Sequence, residues 1–209
     1  ATAANWTGNV APVDGDDLVF PPGAANLANT NNFAALKVSS IVFTGSGYTL
    51  RGNALTVTNG ISGQQGAGAN TVQFNVTLGA AQTFDCVTAG AGQTFSHITN
   101  NGFGLTFSGN GNLTAGGVIS GSGGVTKNGA GTLTYTGPRN LYTGTTRVNR
   151  GTLALNCNAL NDAFRGPLII SDGTGPAEVR LLLTDEIPNT TAVTVQAGGT
   201  LNLDSHNET

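Results

Sequence analysis

A short unit built on two glycines recurs along the 209-residue chain, and it most constrains the fold that the chain can adopt. In each copy, Gly-x-Gly-x-x is followed directly by Leu, Thr or Phe. A unit that returns at short intervals is typical of repeat architectures, in which neighbouring units stack to bury a common core. The copies are GSGYTL (45–50), GAGQTF (90–95), GFGLTF (102–107), GNGNLT (109–114), GSGGVT (121–126) and GAGTLT (129–134).

The segments between the glycines favour strands over helices. Few windows of ten residues lack Gly, Pro or a cluster of β-branched residues, and the best helix candidate, ALNDAFR (159–165), is too short to be stable without packing. Short apolar or alternating runs bounded by Gly, Asn or Asp predict strands. These are LVF (18–20), SIVF (40–43), LTVT (55–58), VQFNV (72–76), LTYT (133–136), LAL (153–155), LII (168–170), VRLLL (179–183), VTV (193–195) and LNL (201–203).

We therefore predict an all-β fold, a right-handed parallel β-helix (β-solenoid), with a β-sandwich or jelly roll as the alternative. The shortness of the strands and the recurrence of the unit favour the solenoid, where each coil pairs with the coils above and below it. Leu133 and Leu153 occupy matching GTLxx units 20 positions apart, so both should face inward on neighbouring coils. We expect one domain over 1–209, with N-terminal coils in 1–120, the clearest repeat in 121–155 and C-terminal coils in 156–209.

The stretch KNGAGTLTYTG (127–137) tests whether its glycines hold a ligand. A dinucleotide fingerprint needs a third Gly three residues after the second and a helix behind it, but Thr134 stands there within a predicted strand. A P-loop needs Gly-Lys-Ser/Thr, and Lys127 precedes its glycines. The glycines are therefore predicted to turn the chain, and no cofactor is predicted.

Charge and hydropathy limit the partners. Charged residues make up only 9% of the chain and the net charge is −3, so nothing indicates a basic face for nucleic acid or an anionic membrane. No apolar run is long enough to insert directly into a membrane as a helix. The start, ATAANW, is similar to a mature end left after cleavage, and the chain has no Met, so we expect an exported protein.

Residues 121–155, GSGGVTKNGAGTLTYTGPRNLYTGTTRVNRGTLAL, resemble the autotransporter-associated β-strand repeat, also called the passenger-associated transport repeat. Two differences are Tyr135, where the family usually has Leu, and a longer segment at 138–141. The resemblance implies a right-handed β-helix, secretion to the bacterial surface and a structural role. The matching positions are Gly121, Gly123, Gly124, Val125, Lys127, Gly129, Gly131, Thr132, Leu133, Gly137, Tyr142, Gly144, Thr146, Val148, Gly151 and Leu153.

Few side chains suggest chemistry. Asp14, Asp16 and Asp17 are the best calcium candidates, although the segment has too few oxygen ligands and a polar turn is the preferred interpretation. A second acidic set could converge beside Arg165 and Arg180, as in β-helical polysaccharide lyases and hydrolases, or could simply cap turns. That set is Asp162, Asp172, Asp185 and Glu186. His97 and His206 have no partners at metal or triad spacing, so no catalytic or metal residue is predicted.

Three functions remain open. The first is a non-enzymatic extracellular or cell-surface module, serving as a stalk, filament subunit or adhesin segment, which pairs end to end with copies of itself or with adjoining coils because a solenoid leaves edges open. The second is a carbohydrate-binding module, which would need a contiguous aromatic groove built from Trp6, Tyr48, Tyr135 or Tyr142. The third is a lyase or hydrolase. Cys86 and Cys157, about three coils apart, are expected to be free and buried.

Overall fold

Twenty-one strands and no helix occur in residues 6, 9–158 and 163–208, which are the part of the chain that the computed structural model describes. The paired strands are parallel and stack as a β-solenoid of about 8 turns. The predicted solenoid is therefore confirmed over the sandwich and jelly-roll alternative. Each turn runs across a first, a second and a third face before it returns to the first.

The first face is a ladder of nine strand segments, because β3 and β5 contribute their second halves to it. It runs unbroken from one end of the described chain to the other. Its strands are β1 (Asp17–Phe20), β3 (Lys37–Phe43), β5 (Leu55–Gly63), β8 (Gln82–Cys86), β11 (Leu105–Gly109), β14 (Val125–Lys127), β16 (Thr146–Val148), β18 (Leu168–Ile170) and β20 (Val193–Val195).

The second face is a separate sheet that is equally long. Along it, consecutive paired strands are offset by 20 residues at Leu113, Leu133 and Leu153 and by 26 between Leu155 and Leu181. Its strands are β2 (Ala28–Asn31), β4 (Thr49–Gly52), β6 (Gly68–Val72), β9 (Ala91–Phe95), β12 (Asn112–Ala115), β15 (Thr132–Tyr135), β17 (Gly151–Leu155), β19 (Ala177–Leu181) and β21 (Gly199–Asn202).

The third face of the described chain has strands only as far as Ser120. The first halves of β3 and β5 continue into β7 (Val76–Leu78), β10 (Ile98–Thr99) and β13 (Ile119–Ser120). Farther along, side chains connect the turns. The Ile119 N–H donates to Asn140 Oδ1 at 2.8 Å, and Asn140 Nδ2 donates to the Ala163 carbonyl at 3.0 Å.

The core is a set of inward-facing ladders. Leu133 pairs directly with Leu113 on one side and Leu153 on the other, and all three side chains are buried, as predicted. Thr134, the next residue, points to the outer side of the sheet and is half-buried. This alternation follows from the pleat of a strand, in which successive side chains leave opposite faces.

One predicted strand, VQFNV (72–76), is wrong. Val72 ends β6 and Val76 begins β7, and the chain turns a corner between the second and third faces around Phe74. All three side chains are buried, so the alternating pattern that suggested one strand instead marks two strands whose corner also points inward. Of the helix candidate 159–165, residues 159–162 lie outside the described residues.

The two ends of the solenoid differ in how well the core is covered. At the N-terminal end, Leu18 and Phe20 are each only 8% exposed, and the Trp6 ring lies 6.3 Å from the Phe20 ring. At the C-terminal end, Val193 and Val195 are 39% and 49% exposed, although their ladder partners in β18 are buried. The last described turn therefore presents core-type side chains to solvent.

Both cysteines are buried thiols that form no disulfide, as predicted. Burial raises the pKa of the Cys86 thiol to about 11, and the neighbouring Asp85 carboxylate adds to the shift. We expect both thiols to react slowly with a thiol reagent in the native protein and rapidly after denaturation without a reductant. A titration that finds no thiol in the denatured protein would contradict this arrangement.

Candidate functional site

The two glycines that follow Lys127 lie at the corner between the first and second faces, and both pack closely on the preceding turn. Gly129 has a φ of 78°, in the left-handed region that favours glycine. Gly131 has no such conformation, but a Cβ there would lie closer than 3.0 Å to the Gly111 carbonyl of the preceding turn. A Cβ at Gly129 would likewise lie closer than 3.0 Å to the Gly109 backbone, so Gly129 turns the chain and both glycines let two turns touch.

The other glycines of the repeat do the same at other corners. A Cβ at Gly123 would strike the Phe103 carbonyl, and one at Gly144 would strike the backbone of Gly123. These contacts form a column at the corner that leads into the first face. Among the remaining predicted positions, Gly121 has a φ of 114°, and Gly124, Gly137 and Gly151 pack on backbone carbonyls, while Val148 and Leu153 are buried in the core.

Lys127 is the least expected member of the repeat, because its side chain points into the core. It occupies the first-face ladder between Phe107 and Val148 and is 1% exposed. Its ammonium donates hydrogen bonds to the carbonyl oxygens of Asn128 at 2.9 Å, Gly129 at 2.8 Å and Arg150 at 3.2 Å. The side chain thus ties the glycine corner of one turn to that of the next.

Burial lowers the pKa of Lys127 to about 8, from 10.5 for an exposed lysine. The unfolded chain therefore holds this proton more tightly than the folded one, and stability should rise with pH between these values. We expect Lys127→Met to remove about 1 kcal/mol of the rise between pH 8 and pH 9. Urea melts of both proteins across this range would measure it, and parallel stability curves would contradict it.

A buried hydroxyl network begins in the same turn as Lys127. The Tyr135 and Tyr142 hydroxyls are 3.2 Å apart, and the Tyr142 hydroxyl is 2.7 Å from Thr146 Oγ1. Burial raises the pKa of both tyrosines. The sequence analysis missed this network, although one signal was present, since Tyr135 replaces the Leu that is usual in the family and needs a buried hydrogen-bond partner.

The acidic turn at the N-terminal end uses its carboxylates locally. Asp14 Oδ1 accepts from the Lys37 N–H, Asp16 Oδ2 accepts from the Val13 N–H, and Asp17 Oδ1 accepts from the Ser40 hydroxyl. The three side chains therefore stabilise a turn and two strands in separate places. No three His, Cys, Asp or Glu side chains of the described residues are grouped to hold a metal ion.

The members of the second acidic set have different surroundings. Asp172 accepts hydrogen bonds from the backbone and hydroxyl of Thr174 and so caps its own turn. Arg180 is paired with Asp204 at 2.7 Å on the outer surface. Glu186 is buried, and Asp162 lies outside the described residues. Asp172 therefore stabilises a turn, whereas Glu186 lies in the core.

Glu186 is the most unusual carboxyl of the chain, since it is 1% exposed on the third face. Its Oε1 accepts the Cys157 N–H at 2.7 Å, while Oε2 has no hydrogen-bond partner among the described residues. Glu208 lies beside it and accepts from the Glu186 N–H. Burial raises the pKa of Glu186 to about 7, and the Glu208 carboxylate contributes to the rise.

The four aromatic residues considered as sugar platforms separate into two pairs. Tyr135 and Tyr142 are fully buried and cannot meet a sugar. Trp6 and Tyr48 both line a cleft of about 530 Å³ at the N-terminal end, and Phe20 lies between them in the packing. The structure thus brings together two residues that are 42 positions apart in the sequence.

Comparison with known families gives one match, on the stretch that contains the buried Lys127 and the two glycines of its corner. The sequence model of the Passenger-associated-transport-repeat matches residues 125–155. Residues 125–155 are therefore similar to this repeat. Gly121, Gly123 and Gly124, which the sequence analysis included, precede the matched segment. No curated protein and no solved structure matches the chain.

The passenger-associated transport repeat and the solenoid together fit a structural module of an autotransporter passenger domain. In this repeat the matched residues form β14 to β17, which is about one and a half turns of a fold that continues on both sides. The family suggests a secreted or surface location. No helix of the described residues is long and apolar enough to cross a membrane.

Proposed function

We propose that this chain is a non-enzymatic structural segment of a bacterial extracellular or surface protein, working as part of a stalk, filament or adhesin passenger. The observation that carries the proposal is the matched repeat set within two uninterrupted parallel ladders. Its characteristic residues, Lys127, Gly129 and Gly131, all serve contacts between turns. Such a segment separates and positions whatever lies at its two ends.

The proposed location can be tested with antibodies raised against the purified chain. We expect them to label intact cells of the source bacterium, or to detect the antigen in the culture medium. A cytoplasmic protein should serve as the control for cell integrity. Detection of the antigen only after the cells are lysed would contradict a surface or secreted role.

The C-terminal end supports a second part of the proposal, that this end pairs with a further parallel coil. Val193 and Val195 stand in register with Leu168 and Ile170, which are fully buried by the coil above them. A coil stacked on β20 and β21 would bury the exposed valines and pair the open strand edges. The coil can come from an adjoining solenoid segment or from a second copy of the chain.

The oligomeric state of the isolated chain tests the self-pairing form. We expect light scattering to show association that increases with concentration and that Val195→Lys abolishes. Val19→Lys, on the outer surface near the other end, is the matched control and should associate like the wild type. A wild-type chain that stays monomeric at high concentration would leave only an adjoining segment as the partner of this end.

A further inference from the structure

The cleft at the N-terminal end has the composition of a binding site for a small neutral molecule. It lies where the chain passes from β1 to β2, and Trp6, Phe20, Pro21, Asn26, Asn29 and Tyr48 contribute to its walls. None of the described residues that line it is charged. Its volume of about 530 Å³ falls within the range of ligand pockets.

The aromatic wall offers one reachable ring. Phe20 and Tyr48 are almost fully buried, with their ring centroids 5.2 Å apart, and the Tyr48 hydroxyl donates to the Pro21 carbonyl. Trp6 is only half-buried and contacts Phe20 through an edge-to-face arrangement. A ligand in the cleft therefore meets the Trp6 indole, supported from behind by the core.

Two side chains of the cleft wall each carry a hydrogen-bond donor that has no acceptor among the described residues. Trp6 Nε1 and Asn29 Nδ2 are shielded from solvent and have no acceptor among the described residues. A buried donor without an acceptor is costly, so a ligand oxygen that reaches it gains affinity. Because both atoms are shielded, the ligand reaches them only with a shift of the Trp6 ring.

We propose that this cleft binds a neutral saccharide, whose apolar ring face stacks on Trp6 while its hydroxyl oxygens accept from Trp6 Nε1 and Asn29 Nδ2. The described lining offers no cation to pair with a sugar carboxylate, so a neutral sugar fits better than an acidic one. An extended peptide is a poorer fit, because Pro21 and Pro22 have no N–H with which to pair a strand at this edge. The proposal is independent of the structural role, which needs no ligand.

Fluorescence gives a direct test, because Trp6 is the single tryptophan of the chain. We expect titration with cellotetraose or chitotetraose to change the Trp6 emission saturably, with dissociation constants of about 0.1–1 mM. Tetragalacturonate should bind at least about tenfold more weakly, since the lining offers no cation. An uncharged Asn- and Thr-containing octapeptide should leave the emission unchanged.

Variants separate stacking from hydrogen bonding, with calorimetry as the readout wherever Trp6 is replaced. We expect Trp6→Leu to abolish binding, Trp6→Phe to weaken it, and Asn29→Ala to weaken it about tenfold. Asn110→Ala, exposed far along the solenoid, is the matched control and should bind like the wild type. Circular dichroism confirms that each variant is folded.

The proposal is overturned if neither neutral tetrasaccharide changes the emission saturably at concentrations up to about 10 mM, well above the expected dissociation constants. It is also overturned if the octapeptide binds more tightly than both sugars, which would assign the cleft to peptides. Equal binding by Trp6→Leu and the wild type would show that the sugar lies elsewhere.

Discussion

Replacing Gly131 by alanine is expected to lower the free energy of unfolding by at least about 4 kcal/mol, which is exceptional for one methyl group. The added Cβ would lie within 3.0 Å of the Gly111 carbonyl, a distance that Cβ atoms essentially never reach. Backbone, rather than a flexible side chain, is in the way. The clash is relieved only if two turns of the solenoid separate, and this would break ladder hydrogen bonds on both sides of the corner.

Gly104 provides the matched control for this substitution. It belongs to the same kind of Gly-x-Gly unit, its φ is outside the left-handed region, and nothing lies within 4 Å of a Cβ built on it. Gly104→Ala should therefore be neutral, or stabilising by up to about 1 kcal/mol through the unfolded chain. Denaturant melts followed by circular dichroism would compare the two variants. Equal midpoints for Gly131→Ala and the wild type would refute the tight packing of the turns.

Glu186 should make the solenoid less stable as the pH rises through neutrality. Its pKa is about 7 in the folded protein and 4.5 as a free side chain, so the unfolded chain loses this proton first. The stability that the protonated carboxyl contributes is complete below pH 4.5 and is lost as the pH rises through 7. The expected loss between pH 5 and pH 8 is about 2.5 kcal/mol.

Glu186→Gln should remove this pH dependence, because the amide does not titrate. The stability difference between the variant and the wild type should shift in the variant's favour by about 2.5 kcal/mol from pH 5 to pH 8. Glu208→Gln is needed beside it, because burial raises the pKa of Glu208 and this carboxyl acts in the same direction. Stability curves of Glu186→Gln and the wild type that run parallel across this range would contradict the buried charge.

The repeated features of the fold could be predicted from the sequence. Leu133 and Leu153 lie in matching units at a spacing that equals one turn, and the structure pairs them directly. Gly129 and Gly131 failed the tests for phosphate loops because a strand follows them, and both lie at a corner. A local pattern that recurs indicates how neighbouring turns pack, because each copy must fit against the next.

The contacts between distant segments could not be predicted in the same way. Turn lengths vary from 19 to 26 residues, so the register that brings Trp6 and Tyr48 to one cleft does not follow from spacing. The burial of Lys127 and Glu186 was not predicted either, since charged residues are rarely buried without a charged partner. Backbone groups hydrogen-bond to both side chains. The hydropathy of the sequence does not reveal such contacts.

The dependence of every turn on its two neighbours alone has a mechanical consequence. Each turn is held by hydrogen bonds that lie along the long axis of the solenoid, between paired strands such as β15 and β17. A force that pulls the two chain ends apart therefore acts directly on the hydrogen bonds of the terminal turn. That turn detaches before the next one does. Each detached turn of 19 to 26 residues releases about 65–90 Å of extended chain, so the segment would lengthen in steps and absorb work before it breaks.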